Sequence, residues 1–383
     1  MLKAVCLENE VKIFLKNTVS DVKNKEYSKY LNRNRLILII GILLIIVMFF
    51  VSVNAGAAKI NFKDVILGIL GQADNKTNMI LKNMRLPRVI SGVVVGFGLG
   101  IAGCITQNVL RNPLASPSTL GITNAAAFGA NFSIIFLNSA KVLTSEKGNV
   151  QVTSPYSIIF WALFFSLSTA ALIVFMAKRF DFSPASIILS GVAISSLFAA
   201  ATMIVQYFAQ DSMQVASVVF WTFGDLGRAS WQGVYILSVI VVISFIYFYL
   251  NKWEYNAMDA GDDVAKSLGV NTNRVRTLGM FFSSLITAVS ISFLGIIGFV
   301  GLIAPQIMFR VIGNNKKFLI PAAGVMGSLI LLVSDTFART ILNPRILPVG
   351  AVTSFLGAPL FMYILIKTPT RSEERRVGKE CRS

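Results

Sequence analysis

Residues 89–110 read VISGVVVGFGLGIAGCITQNVL, without one charged side chain. About 20 apolar residues are enough to cross the hydrocarbon core of a bilayer. In lipid, every backbone N–H and C=O must find a partner within the chain, and that requirement selects the helix. The same reading applies to the charge-free intervals 36–58, 112–140, 148–177, 182–210, 229–251, 277–309, 318–334 and 346–366. The interval 277–309 is long enough for two short crossings. The chain therefore reads as an all-α, polytopic membrane protein with about ten transmembrane helices. They are expected at 36–55, 89–110, 119–137, 157–177, 185–208, 233–250, 277–296, 298–312, 318–337 and 349–366.

Composition agrees. Only 14% of the 383 residues are charged, against roughly 25% in soluble domains. The net charge of +17 reads as cationic flanks of membrane helices rather than a nucleic-acid surface. With a cytoplasmic N-terminus, the inside segments hold 24 of the 35 Lys and Arg. That is the positive-inside pattern, and it places the C-terminus inside too, as in a multi-pass protein of a plasma or inner membrane. The first apolar run begins only at Leu36, after a Lys-rich polar stretch, so Leu36–Val53 is expected to be a retained helix and not a signal peptide. The expected organisation is a cytoplasmic segment 1–35, a transmembrane domain 36–367 containing a cytoplasmic loop 251–276, and a charged tail 368–383 that reads in part as vector-derived.

Ser212–Gly224 is uncharged but too short to span, so it reads as a re-entrant or interfacial helix on the outer side. Trp221 and Trp231 beside it fit headgroup anchors. Gly92, Gly96, Gly98, Gly100 and Gly103 crowd one helix, and Gly295, Gly298 and Gly301 line a turn. Small residues of this kind let helix backbones approach closely in lipid. Cys6, Cys104 and Cys381 form no CxxC pair, and Cys104 reads as a small packing residue.

The residues exclude more functions than they select. The chain has no histidine, which removes HExxH zinc chemistry, Ser-His-Asp triads and histidine proton relays. It contains no DDxxD, so neither enzyme chemistry nor a metal or other cofactor is expected. A carrier driven by ions usually needs carboxylates inside its helices; here Asp335 comes nearest, at the outer end of the ninth. No GxxxxGK[ST] is present, so ATP energy would come from a separate subunit. The element suited to receive it is Asn251–Arg276. Asp262 and Asp263 sit early in a short helical segment there, where the dipole favours acids, and Gly269 is placed to end it.

Several segments together resemble one family. Arg85-Leu86-Pro87-Arg88 is followed by the Gly-rich helix, Gln107, Arg111-Asn112-Pro113-Leu114-Ala115-Ser116-Pro117 and Leu120-Gly121. Trp221 with Gly224-Asp225-Leu226, the Gly261–Val270 loop and Gly301-Leu302-Ile303-Ala304-Pro305 follow in order. Asp335-Thr336-Phe337-Ala338-Arg339, Leu347-Pro348-Val349-Gly350 and Gly357-Ala358-Pro359 complete the set. This pattern, over about 36–367, is similar to the iron-siderophore and cobalamin permeases, the FecCD-type subunits of type II ABC importers.

The resemblance implies a ten-helix type II ABC importer permease fold. It also implies a second permease subunit (homo- or heterodimer), two ATP-binding ABC subunits, an extracellular substrate-binding protein and a lipid environment. Arg85, Arg88 and Arg339 match the positions that dock the binding protein. Asp259, Gly261, Asp262, Ala265, Leu268 and Gly269 match the ATPase-coupling segment, with Ala265, Leu268 and Gly269 giving apolar contact and close fit. Ser190, Gly191, Ser195 and Ser196, with Gly350, Thr353 and Ser354, match the translocation pathway; helix packing accounts for the same small residues. The cargo implied is a ferric siderophore. Haem or cobalamin is the alternative within the family, and an ion-coupled secondary transporter is the alternative from another class. Three positions depart from the family pattern: Gln306 after Pro305, Ile346 before Leu347, and the acidic Asp225.

Overall fold

A computed structural model describes residues 2–56, 67, 74–142, 150–152, 154–179, 184–210, 212–342 and 345–366. The tail 368–383 lies outside the described residues. Each charge-free interval contains at least one helix. In chain order these are α1 (Leu2–Asn54), α2 (Asn75–Val109), α3 (Ile122–Phe136), α4 (Pro155–Arg179), α5 (Pro184–Tyr207) and the short α6 (Ser212–Thr222). After them come α7 (Trp231–Leu250), α8 (Lys252–Asp259), α9 (Asp262–Ser267), α10 (Thr272–Leu294), α11 (Val300–Ile312), α12 (Lys316–Thr340) and α13 (Val349–Ile366). Among the described residues, seven helices are long and apolar enough to cross a membrane, whereas α3, α11 and α13 are shorter. A 13-residue helix such as α11 rises only about 20 Å.

Four features differ from the sequence reading. Helix α1 runs unbroken from Leu2, so the helix begins before the expected start at Leu36 and takes in the polar stretch. Helix α2 starts at Asn75 and passes through a π turn at Leu81–Arg85, which draws Arg85 and Arg88 into the helix. A small antiparallel hairpin pairs β1 (Ala140–Val142) with β2 (Val150–Val152). Trp221 is not a headgroup anchor: it is buried among Ile134, Ile158, Val218 and Ile291. Trp231 stays 47% exposed and donates from its indole N–H to the Lys82 carbonyl at 2.7 Å.

Helix α2 is the hub, packed against α7, α10, α11 and α12. Its glycines make this contact backbone to backbone. A Cβ on Gly100 would stand 2.1 Å from the Ala323 carbonyl oxygen, and one on Gly103 would stand 1.7 Å from that of Gly301. Cys104 is buried in the same core, as expected of a packing residue. A second core, built on aromatic contacts between Phe128, Phe132, Trp161 and Phe165, joins α3 to α4. Helix α10 packs against both groups.

The short α6 returns to the bundle at one end. Phe223 bridges to Ile296 in the α10–α11 turn, Asp225 donates its N–H to the Leu294 carbonyl at 2.9 Å, and Gly350 donates to that of Gly224 at 3.2 Å. This short helix falls where Ser212–Gly224 reads in sequence as a re-entrant or interfacial element. At the opposite end α8 and α9 project beyond the spans.

Candidate functional site

Two charged clusters mark the two ends. At the α8–α9 end the chain builds a displayed helix pair on a fixed base. Gly261, at φ +127°, turns the backbone between the two helices. Gly269, at φ +81°, ends the second, and the Val270 N–H returns to the Ala265 carbonyl at 3.0 Å. Left-handed glycines at these positions are ordinary helix-stop chemistry.

The base is held by side chains distant in sequence. Asn108 donates to the Tyr255 carbonyl at 3.1 Å and to Asp259 Oδ1 at 2.6 Å. Lys316 Nζ lies 2.7 Å from Asp259 Oδ2. Arg276 reaches both oxygens of Asp262, at 2.8 and 2.7 Å. Arg111, itself at φ +47°, donates to the Met258 carbonyl at 3.0 Å and to Asp262. Burial pushes the Tyr255 phenol well above its ordinary pKa, with the neighbouring Tyr247 adding to the shift. It stays neutral inside the joint. Helices α2, α10 and α12 are thereby all tied to the displayed pair.

The tip is apolar and bare. Leu268 is 68% exposed, Val264 is 44% exposed, and no atom lies within 4 Å of where a Gly269 Cβ would be. Ala265 departs from the expectation of an outward apolar contact. It is fully buried in the chain's own core, because α9 turns that face back toward the bundle.

At the other end the structure gathers Arg88 and Arg339 around Asp335, while Arg85 joins Arg339 at the end of α1. Arg88 meets Asp335 Oδ1 from Nε at 2.9 Å and from Nη2 at 2.8 Å, and lies 3.3 Å from Asp225. Arg339 Nε lies 2.9 Å from Asp335 Oδ2. Its other nitrogens donate to the carbonyls of Ala55 (2.7 Å) and Ser52 (3.0 Å), and to Ser52 Oγ at 2.6 Å. Arg85 donates to the Val53 and Asn54 carbonyls at 2.7 and 3.1 Å. Arg85 and Arg339 thus satisfy the last carbonyls of α1, which a helix end otherwise leaves open.

Asp335 is fully buried, so one helix does carry an inward carboxylate, contrary to the reading of helix interiors free of acids. The three arginines, expected on an outward docking face, are buried too, at 6–8% exposure, and their charge is engaged inside the chain. Among the described residues, the exposed cations of this end include Lys76, Lys82 and Arg345, which the sequence reading passed over. Arg228 donates to the Trp221 and Phe220 carbonyls at 3.1 and 2.6 Å. Burial lowers its pKa, and Asp225 offsets part of that shift.

The residues expected to line a pathway have local partners. Ser190 donates to the Ser186 carbonyl at 2.7 Å, and Ser195 accepts from Asn124 at its carbonyl (3.1 Å) and hydroxyl (2.6 Å). Gly191 sits against Leu120, and Ser196 is exposed. Thr353 and Ser354 both donate to the Gly350 carbonyl, at 3.0 and 2.8 Å, and Gly350 lies against the Ile296 carbonyl. Gln306, one of the departures, donates to Gln107 Oε1 at 2.7 Å, and Gln107 donates in turn to the Leu302 carbonyl at 3.1 Å.

A helical membrane bundle that displays a clamped helix pair, without a nucleotide-binding motif, defines a transport subunit worked by a partner. The chain belongs to the FecCD transport family, which matches it over residues 43–367. An ABC transporter permease protein of Methanocaldococcus jannaschii is 46% identical over 86% of this chain and 95% of its own length. The Fe(3+)-citrate import permease YfmE of Bacillus subtilis is 32% identical over 89% and 98%. The hemin transport permease HmuU of Yersinia pestis is 32% identical over 90% and 98%. Among solved structures, an inward-facing metal-chelate type ABC transporter superposes with a TM-score of 0.73 at 28% identity, covering 87% of this chain and 99% of that one. The protein is therefore a polytopic permease subunit of an ABC importer. It is not an enzyme; ATP hydrolysis belongs to a separate subunit.

Proposed function

We propose that this permease imports a ferric-siderophore complex handed over by an extracellular binding protein. Two ATP-binding subunits drive it, and a second permease subunit completes the membrane channel. The observation that carries the coupling half of this reading is the bare tip of Val264, Leu268 and Gly269 on a base tied to α2, α10 and α12. Force applied to that tip passes through Asp259 and Asp262 into three central helices. Both termini then face the cytoplasm with this tip, and Arg85, Arg88 and Arg339 lie outside.

Docking of the binding protein is proposed at that outer end, in a form revised by the geometry. The three arginines fix the ends of α1, α2 and α12, while Lys76, Lys82 and Arg345 present positive charge to an acidic partner. Exposed ion pairs contribute about 0–1 kcal/mol each, so such a set orients the encounter more than it tightens it. Ser190, Gly191, Ser195 and Ser196 on α5, with Gly350, Thr353 and Ser354 on α13, are proposed to face the cargo across the permease pair.

The ferric-chelate assignment draws on the citrate-transporting relative, and hemin is the second reading because the hemin-transporting relative is equally similar. The test is uptake into proteoliposomes containing the permease and its ATPase, with loaded binding protein outside. ATP-dependent entry of ferric siderophore, without entry of hemin or cobalamin, is expected. Entry driven by a proton or sodium gradient without ATP would overturn the ABC-driven reading.

A further inference from the structure

At the α8–α9 end, a cleft of about 480 Å³ opens between the last turn of α4 and the first turns of α10. Its rim carries Lys178 from α4 and Arg274 from α10, with Asn271 and Asn273 beside them; Thr277 and Leu278 line it deeper along α10. Both cationic side chains are exposed, and no carboxylate of the described residues lies within ion-pair distance of either. The volume falls within the roughly 300–1,000 Å³ of small-molecule sites.

Depth identifies the chemistry. Helix α4 is uncharged before Lys178, and α10 is uncharged from Thr277 onward, so the cleft sits where both helices leave the hydrocarbon. Its cations lie at headgroup level and its apolar wall at the level where acyl chains begin. The amino end of α10 adds the positive end of its dipole. Asn271, which also lines the cleft, uses its side-chain oxygen to cap the Arg274 N–H at 3.0 Å, so its amide NH2 is not the group spent on the cap. Basic pockets between membrane helices on the cytoplasmic side suit anionic headgroups.

We propose that this cleft is a binding site for an anionic phospholipid of the cytoplasmic leaflet, its phosphate held between Lys178 and Arg274. The ATPase is the competing occupant of this end. The bare apolar tip at Val264 and Leu268 suits a protein surface, whereas a cationic rim over an apolar wall at the bilayer boundary suits a lipid. A lipid held here lies against the first turns of α10, two residues from the Arg276 clamp on Asp262, and it would stiffen the joint through which the tip acts.

The test uses the full-length permease in nanodiscs of phosphatidylcholine with phosphatidylglycerol, read by native mass spectrometry after transfer to detergent. Wild type is expected to retain phosphatidylglycerol. The double variant Lys178→Gln with Arg274→Gln should lose roughly 30-fold in retention, the scale of two basic residues near an anionic surface. Lys29→Gln with Arg33→Gln removes the same charge elsewhere on α1 and should change nothing. Equal loss in that control, or full retention in the double variant, overturns the site. Displacement of the lipid by inorganic phosphate assigns a free-anion site instead, and loss of ATPase co-purification with lipid retention intact assigns the cleft to the ATPase; both outcomes overturn the proposal. A photoreactive phosphatidylglycerol on the wild-type chain gives a readout independent of the variants: adducts within 178 and 271–278 are expected, and adducts only elsewhere contradict the site.

Discussion

The two ends of the bundle use buried charge in opposite ways. At one end, Arg88 and Arg339 close around Asp335, and Arg85 and Arg339 cap α1. The charge turns inward and fastens helices to one another. At the α8–α9 end, Asp259 and Asp262 are gripped by Asn108, Arg111, Arg276 and Lys316, and the fastening holds up an apolar tip that no described residue covers. One network is a clasp and the other is a mount. On the proposed reading, the mount is the rigid joint where force enters, and the clasp ties helix ends together where cargo arrives.

The clasp predicts the largest effect. Removing one partner from a buried ion pair costs about 3–5 kcal/mol, while replacing the whole group by apolar residues is often neutral. Arg88→Met should therefore destabilise the protein by about that much. Arg88→Met with Asp335→Leu, which leaves Arg339 on the α1 carbonyls, should recover part of it, as read by thermal unfolding in detergent. A double variant no better than the single would mean that the unpaired Asp335 charge is not what the loss of Arg88 exposes.

The hub joining both ends comes next. Gly100→Ala pushes a methyl group into the Ala323 carbonyl, and overpacking of this kind costs about 1–3 kcal/mol; an unchanged unfolding midpoint would contradict the close backbone contact of α2 with α12. On the mount, Asp262→Asn weakens charge-assisted bonds to a buried Arg276. Hydrogen bonds to charged groups are worth about 1.5–3 kcal/mol, but the loss should stay local. Faster hydrogen exchange confined to 258–270 is the expected reading, and uniform acceleration would deny the mount its separate character. The smallest effect belongs to the outer surface. Lys82→Glu with Arg345→Glu should leave unfolding unchanged and slow association with the binding protein at low salt. A slowed dissociation rate with unchanged association would reverse that assignment.

Much of the fold was legible because lipid imposes a simple rule. A stretch such as 89–110 cannot carry a charge and cannot leave its backbone unpaired, so the gaps between charges become the helices. The helix stop at Gly269 and the acidic start at Asp262 were equally local, and both appear where the pattern puts them. What sequence did not reveal is pairing at a distance. Asn108 meets Asp259 across 151 residues and Arg88 meets Asp335 across 247. Neither motif says where its partner lies, so arginines that would suit a binding partner turned out to serve the chain itself. Trp221 failed for a related reason: an amphipathic ring near a boundary satisfies either an interface or a core, and only packing decides.

The most direct measurement of the central claim is ATP-driven uptake in proteoliposomes by the Leu268→Glu variant beside wild type, with ATPase subunits supplied to both. Leu268 is largely exposed, so the unfolding midpoint should move by less than about 0.5 kcal/mol equivalent. The account expects that stability together with loss of both ATPase association and uptake. Undiminished uptake by a folded Leu268→Glu permease would contradict it, because force would then enter the bundle somewhere other than the bare tip of α9.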